Sequence, residues 1–289
     1  MPHTIVVMNG ERDWHQHFPG DEVLYRRLQE CAWVLRDGAL WCVDRDSAHR
    51  VDGVLWRVGA IRPDEQHRHV LDLIRLAGVA CVNPADALLR GFDRLGMLAE
   101  LRAAGLPVIP FDVAIGDDMV RRLGRSFPLV VKAGNFHAGL GKMLVREQAA
   151  WGDVADLLFA APSYATVEPF IDYRRDVRCL AIGDRFWAME RSGRGWKANV
   201  ETRKHRVIEP PEPLVAWTRA AMRRLRADTL ALDFLERPDG EFVALESNDV
   251  PGLSGFPDAC RAALAARLRD ALAQSSASSV SSSSRSPSS

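Results

Sequence analysis

No stretch of the chain approaches the roughly 20 consecutive apolar residues that a membrane helix requires. Nor does either sign of charge predominate, with 38 Lys+Arg against 38 Asp+Glu in 289 residues. The first absence excludes a helical membrane protein, and the second excludes bulk electrostatic capture of nucleic acid or an anionic membrane as the main activity. Cysteine is sparse as well. Cys31, Cys42, Cys81, Cys179 and Cys260 are odd in number, widely spaced and never form a C-x-x-C pair. That pattern argues against a zinc site or disulfide framework and suits buried, inert thiols in a reducing compartment. Met1-Pro2-His3-Thr4 has no basic region and no small-residue cleavage site behind a long apolar run, so no signal peptide is read and a cytoplasmic location is expected.

What is present is an ordinary globular composition, 47% hydrophobic and 26% charged, with ample material for a core. The length suggests about two domains. One end departs from this composition: Gln274 to Ser289 is nearly all serine, too poor in apolar residues to offset ordering entropy, and is expected to be a disordered tail.

Thr4 to Met8 is a β-branched run closed by Asn9-Gly10, a strand and a turn. Val54 to Val58 and Val79 to Val82 read as further strands, separated by the helical spacing of Val70, Leu71, Ile74 and Leu76. Alternating strands and helices imply an α/β region with a largely parallel sheet. Asn83-Pro84 ends it, and Leu88 to Ala104 carries helical spacing up to Gly105, which places a boundary near residue 92. Beyond it, short runs at Leu129 to Lys132, Lys142 to Val145, Tyr164 to Glu168, Val177 to Ile182 and Arg185 to Glu190 are punctuated by glycine. Helical stretches at Gln148 to Phe159 and Pro213 to Ala227 intervene. This part reads as α+β with hairpins, closed by an amphipathic helix over Ala259 to Ala273.

Three constellations could carry chemistry. In the first, the strand Leu129-Val130-Val131-Lys132 runs through Gly134, Gly139 and Gly141 into Lys142 and a second strand. Glycines let backbone N–H groups approach an anion, and lysines at both ends of the loop would neutralise phosphate. A strand follows instead of a helix, so this is no Walker A loop, and a glycine-bearing hairpin with two solvated lysines satisfies the same residues. In the second, Thr229 to Leu235 and Glu241 to Asn248 are joined by the turn Arg237-Pro238-Asp239-Gly240. Alternation sends Leu230, Leu232 and Phe234, with Val243 and Leu245, to the core. Asp233, Glu246 and Asn248 then share the other face, an oxygen set suited to a hard cation such as Mg²⁺; a solvated polar face is the alternative. The third, Glu168-Pro169-Phe170-Ile171-Asp172 with Asp176-Val177-Arg178, marks by itself only a strand end.

Together and in this order, these segments resemble the ATP-grasp superfamily, in the branch holding the synapsin C domain and the ribosomal-protein glutamate ligases. The resemblance runs from about Asn83 to Asp258 and adds Trp196-Lys197-Ala198-Asn199, Met189-Glu190-Arg191 and Glu246-Ser247-Asn248 followed by Pro251-Gly252. It implies an N-terminal α/β domain of the pre-ATP-grasp kind (1–92) and two α+β subdomains that clasp ATP. These are a central one with a glycine-rich lid (93–166) and a C-terminal one with the magnesium site (167–273), followed by the tail (274–289). It further implies that Lys132 meets the α-phosphate and adenine, that Glu168, Pro169, Phe170 and Ile171 read adenine through backbone groups, and that Asp176 lies near the ribose and phosphates. Lys197 and Asn199 would reach the terminal phosphates, with Gly139, Gly141 and Lys142 in the lid. Asp233, Glu246 and Asn248 would hold two Mg²⁺ ions, with Mn²⁺ able to substitute. Arg178, Arg191 and Asn248 would serve the acyl phosphate and the tetrahedral intermediate.

Where the family commonly has Asp-Lys, this chain has Asp93-Arg94; arginine keeps the charge and adds a fork that grips phosphate. The implied activity is a carboxylate–amine ligation through an acyl phosphate, releasing ADP and phosphate. A synapsin-like ATP-binding protein without turnover, or a ligase acting on a ribosomally made peptide, are the alternatives. Partners would be carboxylate and amine substrates, small or peptidic, with no nucleic acid and no membrane, in a homodimer or homotetramer such as relatives often form. Arg57, Arg62, His67 and His69 could line an acceptor pocket, or lie on solvated faces. Arg203-Lys204-His205-Arg206 could grip an acidic acceptor, or be an exposed loop. Trp187 and Trp196 are read as packing.

Overall fold

The computed structural model describes residues 2–283 apart from 117–118, 124–125, 138, 161–163, 193–194 and 198–203, with side chains other than those of 160 and 276–283. The chain opens with β1 (Thr4–Met8) and β2 (Glu22–Arg26), then inserts a small antiparallel sheet of β3 (Ala32–Arg36), β4 (Ala39–Val43) and β5 (Ala48–Arg50). It returns through β6 (Gly53–Trp56), α1 (Glu65–Leu76) and β7 (Ala80–Val82) to complete a parallel sheet in the order β2-β1-β6-β7. The expected parallel region is therefore present. Sequence reading missed the inserted hairpin although a signal was available: Asp37-Gly38, both at positive φ (52° and 72°), form the two-residue turn between β3 and β4, and Leu40 and Cys42 alternate into the core.

The single helix expected over Leu88 to Ala104 is two: α2 (Ala85–Arg90) and α3 (Arg94–Ala103). Asp93 breaks the run. Its backbone is extended (φ −122°, ψ 159°) and its carboxylate accepts the Gly96 N–H at 2.8 Å, capping a new helix. The break places Arg94 at the first position of α3.

A second, antiparallel sheet follows, built of β8 (Asp112–Ala114), β9 (Leu129–Ala133), β10 (Lys142–Val145) and β11 (Ala165–Pro169) in the order β10-β9-β11-β8, with α4 (Gln148–Ala160) packed on it. Its core draws only on residues between Ala114 and Val167. The third sheet, also antiparallel, contains β12 (Arg175–Ile182), β13 (Arg185–Ser192) and β14 (Lys204–Ile208). After α5 (Glu212–Leu225) it is completed by β15 (Thr229–Glu236) and β16 (Phe242–Asn248), in the order β14-β13-β12-β15-β16.

The register of β16 departs from strict alternation. Asp233 pairs with Glu246, yet Phe234 pairs with Ala244, so Leu245 is the extra residue of a bulge. Ala244, not Val243 or Leu245, joins Leu230, Leu232 and Phe234 in the core. Beyond the bulge Glu246 and Asn248 still share the face of Asp233.

The last helix, α6 (Ala259–Ser283), runs past Ala273 into the stretch expected to be disordered. Serine is a tolerable helix former at the end of an established helix, and the Ser275 hydroxyl donates to the Ala271 carbonyl at 3.0 Å. Leu264, Leu268 and Leu272 of α6 pack against Ile5, Val7 and Leu55 of the first sheet and also against Leu180 and Ile182 of the third, joining the two in one core. Among the described residues no helix is long and apolar enough to cross a membrane.

Candidate active site

Between the second and third sheets lies a narrow slot. The second sheet contributes Val130, Lys132, Lys142, Glu168 and Pro169; the third contributes Asp176, Leu235, Leu245 and Glu246. Phe170, Ile171 and Tyr173, on the crossing between the sheets, close one side, and Trp196 and Lys197 close another. Trp196 therefore faces the slot instead of packing a core, with the Lys197 ammonium 5.0 Å from its ring centroid. Lys197 donates to the Gly139 carbonyl at 2.9 Å, which ties the C-terminal sheet to the glycine loop. At Gly141 (φ +65°) an added Cβ would lie 2.9 Å from the Ala133 carbonyl, so glycine is required. The Phe170 N–H donates to the Pro128 carbonyl at 3.1 Å and is spent within the protein. Asn199 and Arg203 lie outside the described residues.

The charged groups are brought together by strand register. Arg178 stands directly opposite Asp233, Asp233 opposite Glu246, and Asp176 opposite Arg191, on β13, β15 and β16 around the central β12. Arg178 grips Asp233 with two hydrogen bonds of 2.7 and 2.8 Å. Arg191 reaches Asp176 at 2.7 Å and Asp233 at 3.1 Å. Burial pushes the Asp233 carboxyl up, but Arg178 and Arg191 outweigh it and hold the group below its ordinary range. Glu246 is partly buried, which by itself raises its pKa, but Lys142 at 2.8 Å, Arg94 at 3.7 Å and Lys132 hold it well below the ordinary carboxylate value. Lys132 itself pairs with Glu168; burial lowers its pKa against that pairing.

Arg94 is the most unusual of these cations. It is buried, its Nη2 donates to the Phe136 carbonyl at 3.1 Å, and its Nε and Nη1 have no hydrogen-bond partner. A desolvated guanidinium with unused donors, beside two buried lysines, suits an oxyanion such as phosphate. Asn248 carries a buried Nδ2 without a partner as well.

On the other side of this charged row a cavity of about 590 Å³ opens towards the first sheet. Arg178, Arg191, Glu246 and Asn248 line it, with Asp249, whose carboxyl burial raises to about 7. Of the four N-terminal candidates only His67 lines it. Arg57 lies half-buried elsewhere, donating to the Pro251 carbonyl at 2.9 Å; Arg62 stacks over Phe136; and His69 is exposed. From the basic cluster, His205 reaches the cavity, while Arg206 pairs with Glu190 at 2.9 Å.

Sequence reading missed Asn83, whose amide oxygen accepts from Asp228 N and Thr229 N and whose nitrogen donates to the carbonyls of Thr229 and Asp249. It also missed His137, Asp249 and the apolar wall of the cavity. For Asn83 a signal was available: a buried-strand end followed by Asn-Pro, where a side chain must satisfy backbone groups that the sheet no longer pairs.

A narrow slot between two antiparallel sheets, flanked by desolvated cations and next to a cavity of ligand size, is the arrangement of a nucleotide-dependent ligase. The family described as "Synapsin, ATP binding domain" matches residues 117–219. A probable α-L-glutamate ligase of Xanthomonas oryzae pv. oryzae is 30% identical over 236 residues, 78% of each chain. The glutamate–LysW ligase ArgX of Sulfurisphaera tokodaii is 26% identical over 232 residues, 73% of this chain and 79% of that one. The solved RimK domain protein ATP-grasp from Sphaerobacter thermophilus shares the fold with a TM-score of 0.66 at 21% identity, over 93% of this chain and 99% of that one. The chain belongs to the ATP-grasp superfamily, in the branch of the α-L-glutamate ligases, and is an ATP-dependent carboxylate–amine ligase.

Proposed function

We propose that ATP lies in the slot between the second and third sheets and that the adjoining cavity holds the carboxylate to be activated. The observation that carries this is the buried Arg94, two of whose guanidinium nitrogens make no hydrogen bond although Glu246 lies 3.7 Å from one of them, beside Lys132 and Lys142. The slot leaves only about 60 Å³ of free volume, so the nucleotide is admitted as the sheets part and is enclosed as they close. On this reading the units are 1–92, 93–166 and 167–273, with the central one moving.

Lys132, Asp176 and the Glu168–Ile171 crossing would hold the base and sugar side. Arg94, Lys142 and Lys197 would hold the phosphates beneath the Gly139–Gly141 lid. A substrate carboxylate oxygen bonds to the γ-phosphorus as the bond to ADP breaks. The amine nitrogen then bonds to the acyl carbon as phosphate leaves, and the amine proton goes to solvent. Arg178 and Arg191 face the negative charge that develops, and the buried carboxylates Asp233 and Asp176 keep their forks aimed.

Magnesium fits the donor set. Glu246 and the Asn248 amide offer oxygens on the face of Asp233, whose own two oxygens accept from Arg178 and Arg191, and among the described residues no three acidic, His or Cys groups are placed to hold an ion alone. One or two carboxylates completed by nucleotide phosphates is the pattern Mg²⁺ favours. When bound, it would neutralise the transferring phosphoryl group. With Glu246 engaged by the ion, the Lys142 ammonium that now pairs with it would be free for phosphate.

Glutamate as substrate is suggested by the names of the relatives, and a protein acceptor by the glutamate–LysW ligase. The reading is tested by ADP release from MgATP in the presence of a carboxylate and hydroxylamine, which traps the acyl phosphate as a hydroxamate. Glu246→Ala is expected to lower that rate at least about a hundredfold, the scale of losing one electrostatic catalytic group. An unchanged rate refutes the placement.

A further inference from the structure

The cavity has two unlike ends. One is the charged row just described. The other is a wall of Trp56, Val58, Leu71, Leu88 and Phe92, contributed by β6, the segment after it, α1, α2 and the break before α3. These side chains belong to the apolar core beside the first sheet, so the wall is the open margin of a packed core.

Counter-charge is missing from that end. Among the described residues, the permanent cations on the lining are Arg178 and Arg191, and both are engaged by Asp233 and Asp176. None of the other nearby arginines lines the cavity: Arg57 donates to the Pro251 carbonyl, Arg62 stacks over Phe136, and the exposed Arg68 is spent on the wall residue Phe92, 4.6 Å from its ring centroid. His67 is bound to Asp64 at 2.5 Å. His137 is held towards its neutral form by burial. Glu246 and Asp249 add acid, not base. A second carboxylate on a substrate would lose its water here and meet apolar surface and like charge. An aryl or branched alkyl group would bury apolar area in a cavity of ligand size.

We propose that the cavity takes a monocarboxylate with an apolar body, its carboxylate between Arg178 and Asn248 and its body on the Trp56–Phe92 wall. This rests on the ligase reading, with the same bond changes: carboxylate oxygen to γ-phosphorus with loss of ADP, then amine nitrogen to acyl carbon with loss of phosphate and a proton.

The test uses the full chain with two readouts, calorimetric titration and hydroxamate formation from MgATP and hydroxylamine, and with 3-phenylpropionate and glutarate as probes. The expected result is tenfold or greater preference for 3-phenylpropionate in binding, the scale of burying one aryl group, and hydroxamate from that acid alone. Phe92→Ala should weaken 3-phenylpropionate about tenfold. Ile61→Lys, at a lining position that is half exposed and tolerant of charge, should shift the preference towards glutarate. Equal or tighter glutarate binding overturns the inference, and hydroxamate from glutarate would then leave the ligase reading standing. Failure of both acids to bind also overturns it. Selective binding of 3-phenylpropionate with no hydroxamate from either acid supports the cavity assignment and refutes the ligase reading.

Discussion

Replacing Asn83 with alanine removes four hydrogen bonds from one buried position. The groups left behind are the N–H of Asp228 and of Thr229, each at 2.8 Å, and the carbonyls of Thr229 and Asp249, at 2.8 and 2.6 Å. A carbonyl keeps a second lone pair and tolerates the loss better than an N–H, so the two amides dominate. At roughly 1–3 kcal/mol for each buried group left unsatisfied, and with water able to relieve part of it, the expected loss is about 3 kcal/mol. For a chain of this size that lowers the melting temperature by roughly 6–12 °C. Differential scanning calorimetry measures it directly. Asn83→Asp keeps an acceptor for the two amides but loses both donations and buries a charge, so it should be at least as damaging. Because Asn83 also anchors the Asp249 carbonyl at the cavity, turnover should fall in both variants. A loss below about 1 kcal/mol in Asn83→Ala, the net worth of one ordinary hydrogen bond, would refute the assignment of Asn83 as the joint between the first and third sheets.

Two further outcomes follow from the charges and thiols. Arg94→Met should raise the KM for ATP about tenfold or more, the worth of one charge-assisted hydrogen bond, in steady-state ADP release; an unchanged KM would remove Arg94 from the phosphate site. Burial pushes the Cys179 and Cys260 thiols up to about 11, against an unfolded value of roughly 8.5. The folded state therefore keeps protons that the unfolded chain releases, so their contribution to stability is complete below about pH 8.5 and is lost as pH rises through about 11. Iodoacetamide at pH 8 should leave both unlabelled in the native protein and label them in urea, as peptide mass spectrometry would read; rapid native labelling contradicts their burial.

The parts of the site legible in the sequence were those carried by local alternation. Lys132 and Lys142 flank a glycine loop between two clear strands, Asp233 alternates with Leu232 and Phe234, and Glu246 and Asn248 are spaced two apart on the partner strand. The bulge at Leu245 was hidden because one inserted residue inverts facing without altering composition, and only the pairing of Phe234 with Ala244 reveals it. The interlocking of the charges was hidden for another reason. Lys142 meets Glu246, and Arg178 meets Asp233, only when separate strands are set side by side, a matter of register and not of spacing along the chain. The apolar end of the cavity escaped because Trp56, Leu71 and Leu88 each read correctly as core within their own element. The break before Arg94 needed the Asp93 cap to be weighed above the helical periodicity that spans it.

The position of α6 has a bearing on how the chain is made. During synthesis the parallel sheet emerges first, yet Ile5, Val7 and Leu55 find their partners on a helix translated after everything else in the sheets. One face of that sheet must therefore wait, exposed, for nearly the whole chain, a long-range pairing that slows folding and invites association with other chains. The central sheet has no such wait, since its core closes on itself between Ala114 and Val167. It can mature on the ribosome while its neighbours are incomplete. In the finished molecule the same self-sufficiency lets it open as one cooperative unit, exchanging its amides on a different clock from the two sheets that α6 holds together.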